Sequence, residues 1–124
     1  MTKRIDLQHA GTDALLAEYA DAALAHRHAS REGKYNVANR AHERLSSVVR
    51  ELRSREPDGL FALTRLFADE RIEVRGWAAA HGLEFAPEQA SKVLEDVASG
   101  PSSLAEFSAK MVLLQWRQGT LRTP

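Results

Sequence analysis

A chain of 124 residues, 44% hydrophobic and 27% charged, has the size and balance of one globular domain, which excludes an intrinsically disordered protein. It has no cysteine, which excludes disulfides, thiolate catalysis, zinc fingers and iron–sulfur clusters and fits a reducing, cytoplasmic setting. Its 17 basic and 17 acidic side chains cancel, which argues against a protein built to neutralise phosphates. No run of about 18 apolar residues offers a membrane span, and Lys3 and Arg4 have no apolar stretch behind them to make a signal peptide.

Helix signals dominate and alternating strand patterns are absent, so the expected fold class is all-α. Six helices are predicted, in a single domain over residues 12–121 behind an N-terminal arm at 1–11. The first runs from about Asp13 to Arg31, capped by Thr12. Leu15, Leu16, Tyr19, Ala22, Ala23 and His26 share its inner face, and Gly33 ends it. The second spans about Lys34 to Arg55. Val37, Ala41, Leu45, Val48 and Leu52 make its stripe, widened by Ala38 and Val49.

Pro57 suits the first turn of a third helix carrying Leu60, Phe61, Leu63, Leu66 and Phe67. The fourth covers about Ile72 to Gly82, with Val74, Trp77, Ala78 and His81 inward. Pro87 opens the fifth, whose inner face is Ala90, Val93, Leu94 and Val97. The Ser99-Gly100-Pro101 break closes it, and Ser102 or Ser103 caps the sixth. The sixth, about Leu104 to Gln118, is apolar on two faces. Leu104, Phe107, Met111 and Leu114 make one; Ala105, Ala109, Val112 and Trp116 make the other. Such a helix is either sandwiched in a core or half of an interface.

Chemistry-bearing patterns are sparse. His42-Glu43-Arg44-Leu45-Ser46 lacks the second histidine of the zinc-protease helix, and His26 and His28 lie on opposite sides of one helix. There is no Gly-x-Ser-x-Gly elbow and no phosphate-binding glycine loop. These gaps point away from an enzyme, a metal site or a cofactor. His26 and His81 lie at the edges of apolar stripes, where a histidine serves the core by bonding a carbonyl or acts as a pH switch. Trp77 reads as core, and Trp116 as either core or an interface anchor. Arg40, Arg44, Arg50, Arg53 and Arg55 crowd the second helix. Without interleaved aromatics they suggest a solvated face with salt bridges to neighbouring helices more than a nucleic-acid footprint.

The segment from Leu60 to Val97 resembles a HEAT repeat: a leucine-rich helix, Asp69 in the turn, then Val74-Arg75 and the alanines Ala78 and Ala79. In that pattern Asp69 accepts turn N–H groups, and Arg75 reaches an acidic turn residue or a carbonyl of a neighbouring pair. Over residues 12 to 121 the chain is similar to a family of small bacterial proteins known only as a domain of unknown function with an armadillo/HEAT-like fold. The similarity rests on Ala29-Ser30-Arg31-Glu32-Gly33, Ala38-Asn39-Arg40-Ala41, Val74 to Ala80, Leu83 to Pro87, Ala109-Lys110-Met111 and Trp116-Arg117-Gln118-Gly119. That family usually carries an acid after the glycine, where this chain has Lys34. The resemblance implies three antiparallel helical hairpins stacked as a short right-handed superhelix, and no activity. With catalysis unsupported, the expected role is to bind a protein partner or a second copy, with nucleic acid the lesser alternative. Asn39, Arg40, Arg44, Arg75 and Trp116 are the candidate interaction residues.

Overall fold

The computed structural model describes residues 6–55, 58–100 and 103–121, with side chains at 103 and 104 left aside. Every regular element among them is helical: α1 (Thr12–Arg31), α2 (Tyr35–Arg53), a 3-10 helix (Gly59–Ala68), α3 (Ile72–Gly82), α4 (Pro87–Ala98) and α5 (Ser103–Gln118). They fall into two compact units, Met1–Ala62 and Leu63–Pro124.

In the first unit α1 and α2 form a helical hairpin. Gly33, at φ +71°, makes the reversal because a residue without Cβ enters the left-handed region at no steric cost. Burial follows the apolar spacing: Leu15, Leu16, Tyr19, Ala22 and Ala23 from α1 are hidden, as are Ala38, Ala41, Leu45, Val48, Val49 and Leu52 from α2. Arg44 donates two hydrogen bonds to Glu18, at 2.8 and 3.0 Å, and one to Asp21 at 2.7 Å. Arg55 donates to the Leu7 carbonyl at 2.9 Å. The links 18 to 44 and 7 to 55 fan out evenly from the turn, as antiparallel helices require. Through the second link, part of the expected N-terminal arm is fastened to the end of α2.

Three expectations in this unit need correcting. Gly11, not Thr12, is the residue that caps α1, through a backbone bond from Leu15 N–H to its carbonyl at 3.0 Å. Val37 is exposed, because it sits in the first turn of α2 at the margin of the buried arc. His26 is half-buried at the rim rather than inside. The Pro57 and Ser102 assignments lie outside the described residues.

The third predicted helix is present, but wound as a 3-10 helix. The spacing of three of its leucines suits that winding. Leu60, Leu63 and Leu66 are three apart, which aligns them along one edge only when each turn takes three residues. Leu63 and Leu66 are buried, and Phe61, one position off that edge, is exposed. Gly59 starts the element because a Cβ there would lie 1.9 Å from the Leu52 carbonyl oxygen.

The second unit packs α3 against α4, α4 against α5, and α3 more lightly against α5. Its core joins Ala79 and Leu83 to Ala90, Leu94 and Val97 of α4 and to Ala109 and Leu113 of α5. Pro87 occupies the first turn of α4 as expected. Asp69 accepts the Arg71 backbone N–H at 2.9 Å, and the Arg71 guanidinium beside it holds its carboxyl below the usual carboxylate range. Arg75 donates to the Asp69 and Glu70 carbonyls at 2.7 and 3.2 Å, so it seals the turn that precedes its own helix. Trp77 is half-buried rather than core. Its ring stacks on buried His81 one turn on, with centroids 5.9 Å apart.

Candidate interaction face

α5 is where the apolar content of the sequence exceeds what the fold conceals. Ala109 and Leu113 lie in the core, with Ala105 and Val112 partly covered beside them. Leu113, which belongs to neither of the two expected faces, is only 5% exposed. The opposite side presents Phe107 at 63%, Met111 at 38% and Leu114 at 47% exposure. The 4–3 spacing that fills a core elsewhere here leaves one stripe uncovered, because α3 and α4 cover a single side of α5.

Charge borders the stripe on one edge only. Lys110 and Arg117, one heptad apart, flank it there, with Lys110 paired to Glu106 at 2.9 Å and Arg117 to Glu95 of α4 at 3.4 Å. The other edge carries the neutral Ser108 and Gln115. Gly119, at φ +73°, ends the helix, and Leu121 folds back onto the core beyond it. Large apolar side chains left in water beside polar edges are the usual composition of a contact surface.

The sequence-derived candidates divide between the two units. Asn39 and Arg40 are exposed on α2. Arg44, one turn beyond Arg40, is engaged by Glu18 and Asp21. The hydrogen bonds it donates to Glu18 hold its guanidinium charged well above the ordinary range. Arg55 is similarly taken up by Glu51, at 3.0 Å, and by the Leu7 carbonyl. In the second unit Arg75 is committed to backbone carbonyls, and Trp116 stands 40% exposed on the last turn of α5. Of the five, Asn39, Arg40 and Trp116 present surface, whereas Arg44 and Arg75 serve the fold. Phe107, Met111 and Leu114 were visible in the sequence as one of two apolar faces. What the sequence lacked was the knowledge of which face α3 and α4 would take.

The first unit also carries an open depression of about 540 Å³ lined by Asp6, His9, Ala10, Ala14, Ala17, Glu18 and Asp21. Its floor is alanine and its carboxylates are occupied. Asp6 bonds His9 at 2.6 Å, and Glu18 and Asp21 bond Arg44. Among the described residues no three histidine or carboxylate groups are placed to hold a metal ion, and no helix is long and apolar enough to cross a membrane.

Comparison with known proteins finds relatives whose role is not defined. A family described as a domain of unknown function, DUF2019, matches residues 13–116. The crystal structure of the protein RPA1889 from Rhodopseudomonas palustris CGA009 is similar over 98% of this chain and 100% of that one, with a TM-score of 0.87 and 27% identity. No curated protein matches.

Proposed function

This chain belongs to the DUF2019 family of unknown function, and from that premise we propose that it is a non-catalytic protein–protein interaction module acting in the cytoplasm. In this reading its helices pair in the HEAT or armadillo manner as a short right-handed superhelix, and the docking element is α5. One observation carries the proposal: Phe107, Met111 and Leu114 line up on the side of α5 opposite the core and remain in water. An apolar stripe at that spacing is the surface a partner helix or groove recognises. Trp116, also exposed on α5, lies two residues beyond Leu114 and therefore on the other side of the helix, outside the stripe.

A non-catalytic role is supported by the carboxylates of the open depression, which are bound up in ion pairs and hydrogen bonds. A protein partner is favoured over nucleic acid because Arg44 and Arg55, two of the five arginines crowding the second predicted helix, are consumed by internal carboxylates. The absence of cysteine fits a reducing compartment.

Site-specific photo-crosslinking tests the reading. A crosslinker replacing Met111 should yield a discrete adduct in cells, and one replacing exposed Lys92 on α4 should yield none. Equal labelling patterns at the two positions would remove the case for α5 as the docking element.

A further inference from the structure

Resting on that reading of α5, we propose that the stripe receives an amphipathic helix with acidic flanks, and not a second copy of this chain. The apolar positions 107, 111 and 114 have the spacing of a coiled-coil seam, and the residues bordering such a seam choose the partner. On α5 these are Lys110 and Arg117 on one edge, and Ser108 and Gln115 on the other. The four positions that border the seam hold no carboxylate; Glu106, which pairs with Lys110, stands behind that cation and farther from the seam.

Both cations can be re-partnered. Lys110 and Arg117 are each at least 60% exposed, and their bonds to Glu106 and Glu95 lie at the surface, where such pairs contribute little. A partner helix carrying glutamate or aspartate beside its own apolar seam would give each of them a second carboxylate as the seam closes and water leaves.

Self-pairing offers nothing comparable. Two copies of α5 side by side in parallel set Lys110 against Gln115. Set antiparallel, they bring Lys110 toward its own counterpart, where like charges repel. Three large side chains on a helix of 16 residues, about 24 Å long, make less than the roughly 800 Å² per partner of a standard stable interface. The complex is therefore transient and is read best by titration.

The test uses the full chain and two labelled three-heptad helical peptides that share a leucine seam and differ only in flanks, all glutamate or all lysine. Fluorescence anisotropy should show the glutamate peptide binding about tenfold more tightly at low salt, with the gap narrowing as salt rises. The double variant Lys110→Glu/Arg117→Glu should reverse the preference. Phe107→Glu should abolish binding of both peptides, with an unchanged helical circular dichroism spectrum showing that it folds. Equal affinity for the two peptides, lost on Phe107→Glu, would overturn the acidic preference and leave the docking face standing. Self-association in sedimentation that Phe107→Glu abolishes, without peptide binding, would replace the proposed occupant with a second copy. Neither peptide binding nor self-association would overturn both the occupant and the docking face.

Discussion

Leu113 and Leu114 are neighbours in sequence and in chemistry, and the structure gives them opposite fates. Leu113 is 5% exposed against Ala109, Leu94 and Val97, whereas Leu114 is 47% exposed on the outward stripe. Truncating Leu113 to alanine removes buried methyl groups and leaves a void among helices that relax only in part, a loss of about 2–4 kcal/mol. Truncating Leu114 forfeits only the covered part of a side chain whose full burial stabilises by about 1.5–3 kcal/mol, so its cost is about 1 kcal/mol or less. Both tryptophans, Trp77 and Trp116, lie within Leu63–Pro124, so tryptophan fluorescence during urea unfolding reports on the second unit alone. The two single variants should separate by at least about 1.5 kcal/mol with unchanged m. Equal losses, or a larger loss at Leu114, would show that the packed side of α5 has been misassigned and the argument for its free stripe with it.

Gly76 lies inside α3, and a Cβ there would meet nothing within 4 Å. Gly76→Ala should therefore stabilise by about 0.5–1 kcal/mol through lower chain entropy, seen as a higher melting temperature; a lower one would reveal a close approach at that position. His26 behaves differently. Burial, aided by the charge of His42, holds its imidazole below the ordinary value of 6.5. The folded chain then binds fewer protons than the unfolded one. Its contribution is fully present above the unfolded value and is lost as pH falls through the folded one. The stability of the protein relative to a His26→Gln variant should rise with pH between about 5 and 7. A flat difference in paired urea titrations across that window would contradict the assignment.

The limits of what could be foreseen from the residues are themselves physical. Periodicity located all six helical segments because each must bury a stripe, and the buried residues of α1, α2 and α4 follow those stripes closely. Gly33 and Pro87 marked a helix end and a helix start because their backbone restrictions act locally. Periodicity does not specify winding, so the three-residue spacing of Leu60, Leu63 and Leu66 was read as part of an α-helix. Nor does it say how far a neighbour reaches. Trp77 and Val37 lie on or beside the correct arcs, yet the packing stops short of covering them. Charge partners across helices were the least visible. Salt bridges from the second-helix arginines to neighbouring helices were expected, but only the folded hairpin identifies Glu18 and Asp21 as the partners of Arg44. For α5, two apolar faces were evident and the choice between them was not, since that choice belongs to α3 and α4.

Met111 offers the most direct probe of the docking claim, because the chain has only two methionines, Met1 and Met111, and one of them sits on the stripe. With methionine methyl groups carbon-labelled, a soluble paramagnetic agent should broaden the Met111 signal in dilute buffer. In extract from the producing cells that signal should be shielded, and Phe107→Glu should remove the shielding. A Met111 methyl already shielded in dilute buffer, or equally accessible in buffer and extract, would contradict the account.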